Sequence, residues 1–266
     1  MNKPVLPTSS FSLKLPTSDG GLAYKDKGDY DRAIGDYSQA ISLDPAGASA
    51  YYSRGNAYRD KGDDDRAIAD YNQAISLYPK FVSAYTNRGF AYSRKRDYDR
   101  AVADYNDAIS LDPKNARTYA SRGRVNLYAG ALPKALADFN QANALDPRDA
   151  YTALWLDIVS RRNNLPSRLA QASSQVDMTK WPAPIIGLFL GQMTPAAVLA
   201  AADDPDPIKK KGQVCEANFY SGELSLSKGT KDDASRLFQF AVGDCPVTFL
   251  EWDAANDELK ALGIAP

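Results

Sequence analysis

Residues 29–45 read DYDRAIGDYSQAISLDP, residues 63–79 read DDDRAIADYNQAISLYP, and residues 97–113 read DYDRAVADYNDAISLDP. A segment that returns every thirty-four residues argues against one large core, because each copy repeats a small set of apolar positions that only a neighbouring copy can cover. The frame is carried by small residues at Ala33, Ala67, Ala101 and Ala135 and at Ala40, Ala74, Ala108 and Ala142. Between them stand Tyr37, Tyr71, Tyr105 and Phe139. Glycines recur at Gly21, Gly55, Gly89 and Gly123, and prolines close the units at Pro45, Pro79, Pro113 and Pro147. Tyr24, Tyr58 and Tyr92 keep the period, and Asn126 breaks it.

Each unit reads as two antiparallel helices. ASAYYSRGNAYRDKG has helical apolar spacing and stops at a glycine. DDDRAIADYNQAISLYP opens with acidic residues suited to a helix N-terminus and ends before a proline, which disfavours continuation. Gly55 and Ala67 are small where the two helices should cross, and Tyr58 and Tyr71 are large enough to fill the space between them. Glycine, tyrosine, alanine, aromatic, alanine and proline at these offsets resemble the tetratricopeptide repeat. The resemblance covers residues 21–147 in one frame and implies an all-α, right-handed superhelix, an α-solenoid of antiparallel hairpins whose first helices line an inner groove.

After Pro147 the rhythm loosens. AYTALWLDIVSRR reads as another first helix and PSRLAQASSQ as a shortened second one, followed by short helices in PIIGLFLG and TPAAVLAAAD and a loop in DDPDPIKKKG. Gly222, Ala234, Phe238, Ala241 and Pro246 then restore the earlier offsets, and EWDAANDELKALG reads as an amphipathic capping helix. The expected organisation is a disordered segment over 1–13, four repeats over 14–149 with the first degenerate at Pro16, Gly20 and Gly21, irregular hairpins over 150–212, and a repeat-like hairpin with its cap over 213–262.

ALWLDI, Trp181, GLFLG, EANFYSGELSLSKG and ASRLFQFAV are similar to the NlpI family of bacterial envelope lipoproteins. That resemblance implies a periplasmic or envelope-associated adaptor that binds proteases and peptidoglycan hydrolases, commonly as a homodimer. The chain departs from the family in lacking a lipobox cysteine and an apolar signal-peptide core in MNKPVLPTSSFSLKLPTSDGG. A cytoplasmic, peptide-binding relative of co-chaperone type is therefore the second reading.

Composition narrows the chemistry. Thirty-two basic residues balance thirty-three acidic ones, which argues against a nucleic-acid partner. No apolar run reaches the length of a membrane-spanning helix. Histidine is absent, removing the commonest general base and zinc ligand, so neither catalysis nor a cofactor is expected. A carboxylate-based enzyme is the rival class, to be favoured by a pocket holding two convergent carboxylates with shifted pKa.

Three sets of residues stand out. Arg54, Arg88 and Arg122 should lie near Asp70, Asp104 and Asp138, reading as an internal ladder of ion pairs. The inner face of the first helices should present Tyr52, Asn56, Arg59, Asn87, Phe90, Arg94, Arg117 and Arg124 to a protein or peptide partner. Asn56, Asn87 and Arg117 match three places of the carboxylate-holding set found in some tetratricopeptide proteins, while Tyr52 and Ser121 replace two others. Cys215 and Cys245 stand at hairpin ends that should meet, as a disulfide or as two unlinked structural thiols.

Overall fold

The computed structural model describes residues 28–246 and 249–264. The expectations for the segment 1–13, for Pro16, Gly20 and Gly21, and for Tyr24 lie outside the described residues. The described chain is an all-α solenoid of antiparallel helical hairpins and divides into two compact units, 1–79 and 80–266.

The first unit contains α1 (Tyr30–Leu43), α2 (Ala48–Asp60) and α3 (Asp64–Leu77). Asp29 and Asp63 cap α1 and α3, each accepting from the backbone N–H three residues on, at 3.3 and 3.0 Å. Such a cap typically contributes about 1 kcal/mol. Gly55 lies against Tyr71 and the Ala67 carbonyl, where an added Cβ would meet the ring at 2.8 Å. The repeated glycine is thus the residue that lets an aromatic side chain lie flat between two helices.

The second unit begins with the hairpins α4 (Val82–Arg94)/α5 (Tyr98–Leu111) and α6 (Ala116–Tyr128)/α7 (Leu132–Leu145). There follow α8 (Ala150–Arg162), the single turn α9 (Leu169–Ala172) with a 3-10 turn at Ser173–Gln175, and the short helices α10 (Ala183–Phe189) and α11 (Pro195–Ala201). The last hairpin is α12 (Pro207–Ser227)/α13 (Lys231–Asp244), and α14 (Leu250–Ala261) ends the described chain. Trp155 of α8 is the hub of the core. It stacks on Phe139 at 6.1 Å and meets Phe219 at 5.6 Å and Tyr220 at 6.1 Å, joining the regular hairpins to the last one. Burying each such ring stabilises the fold by roughly 1.5–3 kcal/mol.

Two details depart from the sequence reading. DDPDPIKKKG is not all loop: α12 starts at Pro207, because Asp206 accepts from the backbone of Ile208 and Lys209 and Pro207 occupies the first turn. Cys215 consequently lies inside α12 and not at its start. The helix expected as a cap does cover the last hairpin, and it also reaches far beyond it, as described next.

Candidate functional site

The ion-pair ladder is present. Arg54 donates to both Asp70 oxygens at 2.8 and 2.7 Å and to Ser38 Oγ at 3.0 Å. Arg88 grips Asp104 in the same fork at 2.9 and 2.5 Å. Arg122 grips Asp138 at 3.1 and 2.6 Å and reaches Asn106 at 2.6 Å. The three aspartates are buried and the arginines lie across Tyr51, Tyr85 and Tyr119. A planar fork held on an aromatic face fixes the angle between paired helices. Asn126, the break in the tyrosine period, donates to Asp138 at 2.8 Å and so joins the same clamp.

The expected inner-face residues divide between the units. In the first, Tyr52, Asn56 and Arg59 are half-buried on α2. The Tyr71 hydroxyl donates to Asn56 Oδ1 at 2.8 Å, Tyr52 tilts against the Tyr71 ring at 6.0 Å, and Arg59 donates to Asp60 at 2.7 Å. In the second, Asn87, Phe90 and Arg94 are half-buried on α4, and Arg117 is exposed on α6. Arg124, also on α6, is different: its electrostatic neighbours are Glu251 of α14 and Tyr220 of α12.

That neighbour is part of a larger contact that sequence reasoning missed. The acidic face of α14 meets α6, α8 and the α4–α5 turn of the second unit. Glu258 accepts from Arg162 of α8 at 2.8 Å, and the same guanidinium donates to Glu223 of α12 at 2.7 Å. Asp257 pairs with Arg96, in the turn between α4 and α5, and accepts from the Tyr98 hydroxyl of α5 at 3.4 Å. Arg96 has φ +59°, at the turn position occupied by Gly62 (φ +90°) and Gly130 (φ +76°) in the neighbouring repeats. A left-handed backbone costs a non-glycine residue roughly 1 kcal/mol, so this repeat carries an arginine where the backbone favours glycine. The signal in the sequence was the interruption of that glycine series at position 96.

Carboxyls on α14 and on α12 beneath it are raised above their ordinary range. Burial pushes Glu258 up to about 8, with Glu223 adding to the rise and Arg162 opposing it. Burial likewise pushes Glu216 up to about 7, with nearby Glu251 adding to it, even though Glu216 accepts from Trp181 Nε1 at 2.6 Å and Tyr151 at 2.9 Å. Glu251 and Asp257 are also raised, by burial first. The Tyr128 hydroxyl is buried nearby without a hydrogen-bond partner, and burial raises it as well.

A cavity of about 340 Å³ is bordered by Asn143, Asp157, Ser160 and Arg168, and a wider one of about 550 Å³ by Met178, Trp181, Met193 and Asp203. Neither includes Glu216, Glu251 or Glu258 in its walls. Among the described residues, no group of three acidic or cysteine side chains is arranged to hold a metal ion, and no helix is long and apolar enough to cross a membrane. Cys215 and Cys245 lie at disulfide distance, with Cα atoms 4.9 Å apart.

The TPR repeat profile matches residues 21–59 and 55–95, and the tetratricopeptide repeat profile matches residues 82–115. Among solved structures the chain is similar to a tetratricopeptide repeat protein from Parabacteroides merdae, with 18% identity and a TM-score of 0.58 over 91% of this chain and 96% of that one. It is also similar to Pseudomonas aeruginosa PilF, with 16% identity and a TM-score of 0.56 over 91% and 95% of the two chains. MamA from Desulfovibrio magneticus, residues 41 to its end, matches with 18% identity and a TM-score of 0.54 over 59% of this chain and 89% of that one. At such identities the likeness is one of fold.

Proposed function

We propose that this chain, which carries tetratricopeptide repeats over residues 21–115, is a non-catalytic adaptor of the bacterial cell envelope whose first helices bind segments of partner proteins. One observation carries the binding role. The forked Arg–Asp pairs at 54–70, 88–104 and 122–138 hold successive hairpins rigid while leaving Tyr52, Asn56 and Arg59 in one unit, and Phe90, Arg94 and Arg117 in the other, on accessible or half-accessible helix faces. Side chains on a rigid frame lose little further entropy when a partner docks, and arginine with aromatic neighbours supplies both forked bonds and contact area.

The envelope part of the reading draws on the resemblance of the C-terminal region to the NlpI family and on the proximity of Cys215 and Cys245, since disulfides persist in oxidising compartments. In that setting the partners are envelope proteases or peptidoglycan hydrolases, and the adaptor works as a homodimer.

The test is comparative affinity capture from envelope extracts with the unaltered chain and with Arg59→Glu and Arg117→Glu. Proteases or hydrolases held by the unaltered chain and lost by the charge-reversed variants are the expected result. Identical captured sets would remove the inner face as the site, and a set without envelope proteins would remove the compartment.

A further inference from the structure

Alpha-helix α14 is an unusual packing partner. Its buried face consists of Glu251, Ala254, Ala255, Glu258 and Leu259. Ala254, Ala255 and Leu259 join the hydrophobic core, with Trp252 and the following Leu262 packed half-buried against it, and the remaining buried positions are glutamates, Glu258 on Arg162 and Glu251 near Arg124, with Asp257 beside them on Arg96. Beside this apolar seat, three acids on one helix face three arginines drawn from α6, α8 and the α4–α5 turn, a polar pattern that completing the core does not by itself require.

The way α14 is attached fits the same picture. The connection from α13 begins at Cys245, which lies at disulfide distance from Cys215 of α12. The last hairpin therefore has a closure of its own, upstream of α14. Phe249, just before α14, rests directly over Gly212 of α12, where an added Cβ would collide with its ring.

We infer that the inner face carrying Arg96, Arg124 and Arg162 is a receptor for acidic amphipathic helices, and that α14 is its tethered occupant, displaced when a partner helix presents the same pattern. The partner pattern is legible in α14: carboxylates at the first, seventh and eighth positions of the contact, small residues at the fourth and fifth, and an aliphatic residue at the ninth, corresponding to Glu251, Asp257, Glu258, Ala254, Ala255 and Leu259. The inference rests on the adaptor reading and names the class of partner for one part of its surface. Competition by a tethered helix sets a threshold, because a free partner must overcome the high local concentration of the attached one.

The probe is a fluorescent peptide of residues 249–264 added to the full-length chain. Against a release variant carrying Asp257→Lys and Glu258→Lys, the peptide should bind at least tenfold more tightly than to the unaltered chain. Adding Arg124→Glu to the release variant should abolish the gain, as should the matching lysine substitutions in the peptide. Arg96→Gly is a second release variant whose backbone suits its turn, so it keeps the test valid if the double lysine variant folds poorly; its effect should be several-fold. Hydrogen exchange on the unaltered chain gives an independent readout: saturating peptide should speed exchange in 250–261 and leave α12 and α13 unchanged. Equal peptide affinity for the unaltered and released chains, or exchange in α14 that excess peptide does not move, overturns the inference. Self-association of the unaltered chain that the peptide dissolves also overturns it, by giving the face to a second copy. If these arms fail while the capture contrast with Arg117→Glu persists, the adaptor reading stands without α14 as its regulator.

Discussion

The hairpins α6/α7 and α12/α13 meet the same packing requirement with the same residues and then hold themselves shut in different ways. In each, a glycine lies against the ring of a buried phenylalanine: Gly123 against Phe139 and Gly222 against Phe238, where an added Cβ would approach within 3.0 and 2.6 Å. Ala135 and Ala234 are both wholly buried at the helix crossing. The polar clamp differs. Where the first hairpin has Arg122 on Asp138, the matching positions of the last are Ser221 and Leu237. In its place the last hairpin has Cys215 and Cys245 at disulfide distance. The steric frame is thus what the hairpin requires, and the clamp is a replaceable means of fixing it. A clamp made of charges works in any redox state, whereas a covalent one needs an oxidising compartment.

The largest expected effect tests the shared part. Phe139→Ala and Phe238→Ala should each cost about 3–5 kcal/mol, the usual range for emptying a buried aromatic site. Chemical denaturation followed by tryptophan fluorescence should show similar losses for both. A loss confined to one hairpin would mean that the common frame hides unequal packing.

Next comes the staple. Reduction should destabilise the chain by about 3–4 kcal/mol in the chain-entropy model for a thirty-residue loop, and faster hydrogen exchange should be confined to α12–α14. Two thiols that titrate fully under oxidising conditions would remove both the staple and its support for the envelope. The charge clamp should matter less. Arg122→Met leaves Asp138 buried with Asn126 as its remaining donor, a loss of about 1–3 kcal/mol, and reductant should not alter it. Thermal denaturation with and without reductant separates the two devices.

How much of this was legible in the sequence follows from the same contrast. Gly, Ala and aromatic positions repeat because each hairpin meets its neighbour at the same local offsets, so the frame could be read at Gly222, Ala234 and Phe238 even after two irregular hairpins. The Arg–Asp ladder was readable for the same reason, since Arg54, Arg88 and Arg122 each find an aspartate sixteen residues on. The start of α12 falls inside a stretch that reads as a loop, because its N-cap Asp206 and first-turn Pro207 sit among the acids and prolines of 203–207. The position of α14 was out of reach. Its contacts to Arg96 and Arg162 bridge 161 and 96 residues of sequence and follow no period. Nothing local to Arg124 indicated that Glu251 would come to it.

The last predicted effect is one of pH, and it belongs to the contacts of α14. Glu258 faces Arg162 from α8, Glu223 from α12 and the Tyr128 hydroxyl from α6, with Asp257 beside it on its own helix. Glu251 faces Arg124 from α6, Tyr220 and Glu216 from α12, with Tyr151 of α8 also in the cluster. Asp257 faces Arg96 and Tyr98, with Lys260 on its own helix. One arginine therefore serves two buried glutamates, and burial favours the protonated carboxyl. The folded pKa of Glu258, about 8, is above its ordinary value of 4.5, so the docked helix holds a proton that the released helix gives up. Docking is then strongest below the ordinary carboxyl pKa and is lost progressively as pH rises through about 8. Glu216, raised to about 7, acts in the same direction at a lower pH. The opening free energy of α14 should fall by about 1 kcal/mol per pH unit for each proton released. Hydrogen exchange from pH 6 to 9, corrected for intrinsic rates, should show α14 losing protection relative to α6 and α7. Glu258→Gln, which keeps the shape of the protonated side chain and cannot ionise, should flatten the upper part of that profile. An α14 whose protection is constant across the range, or a Glu258→Gln profile that still falls between pH 7 and 9, would remove Glu258 as the group that sets the pH dependence.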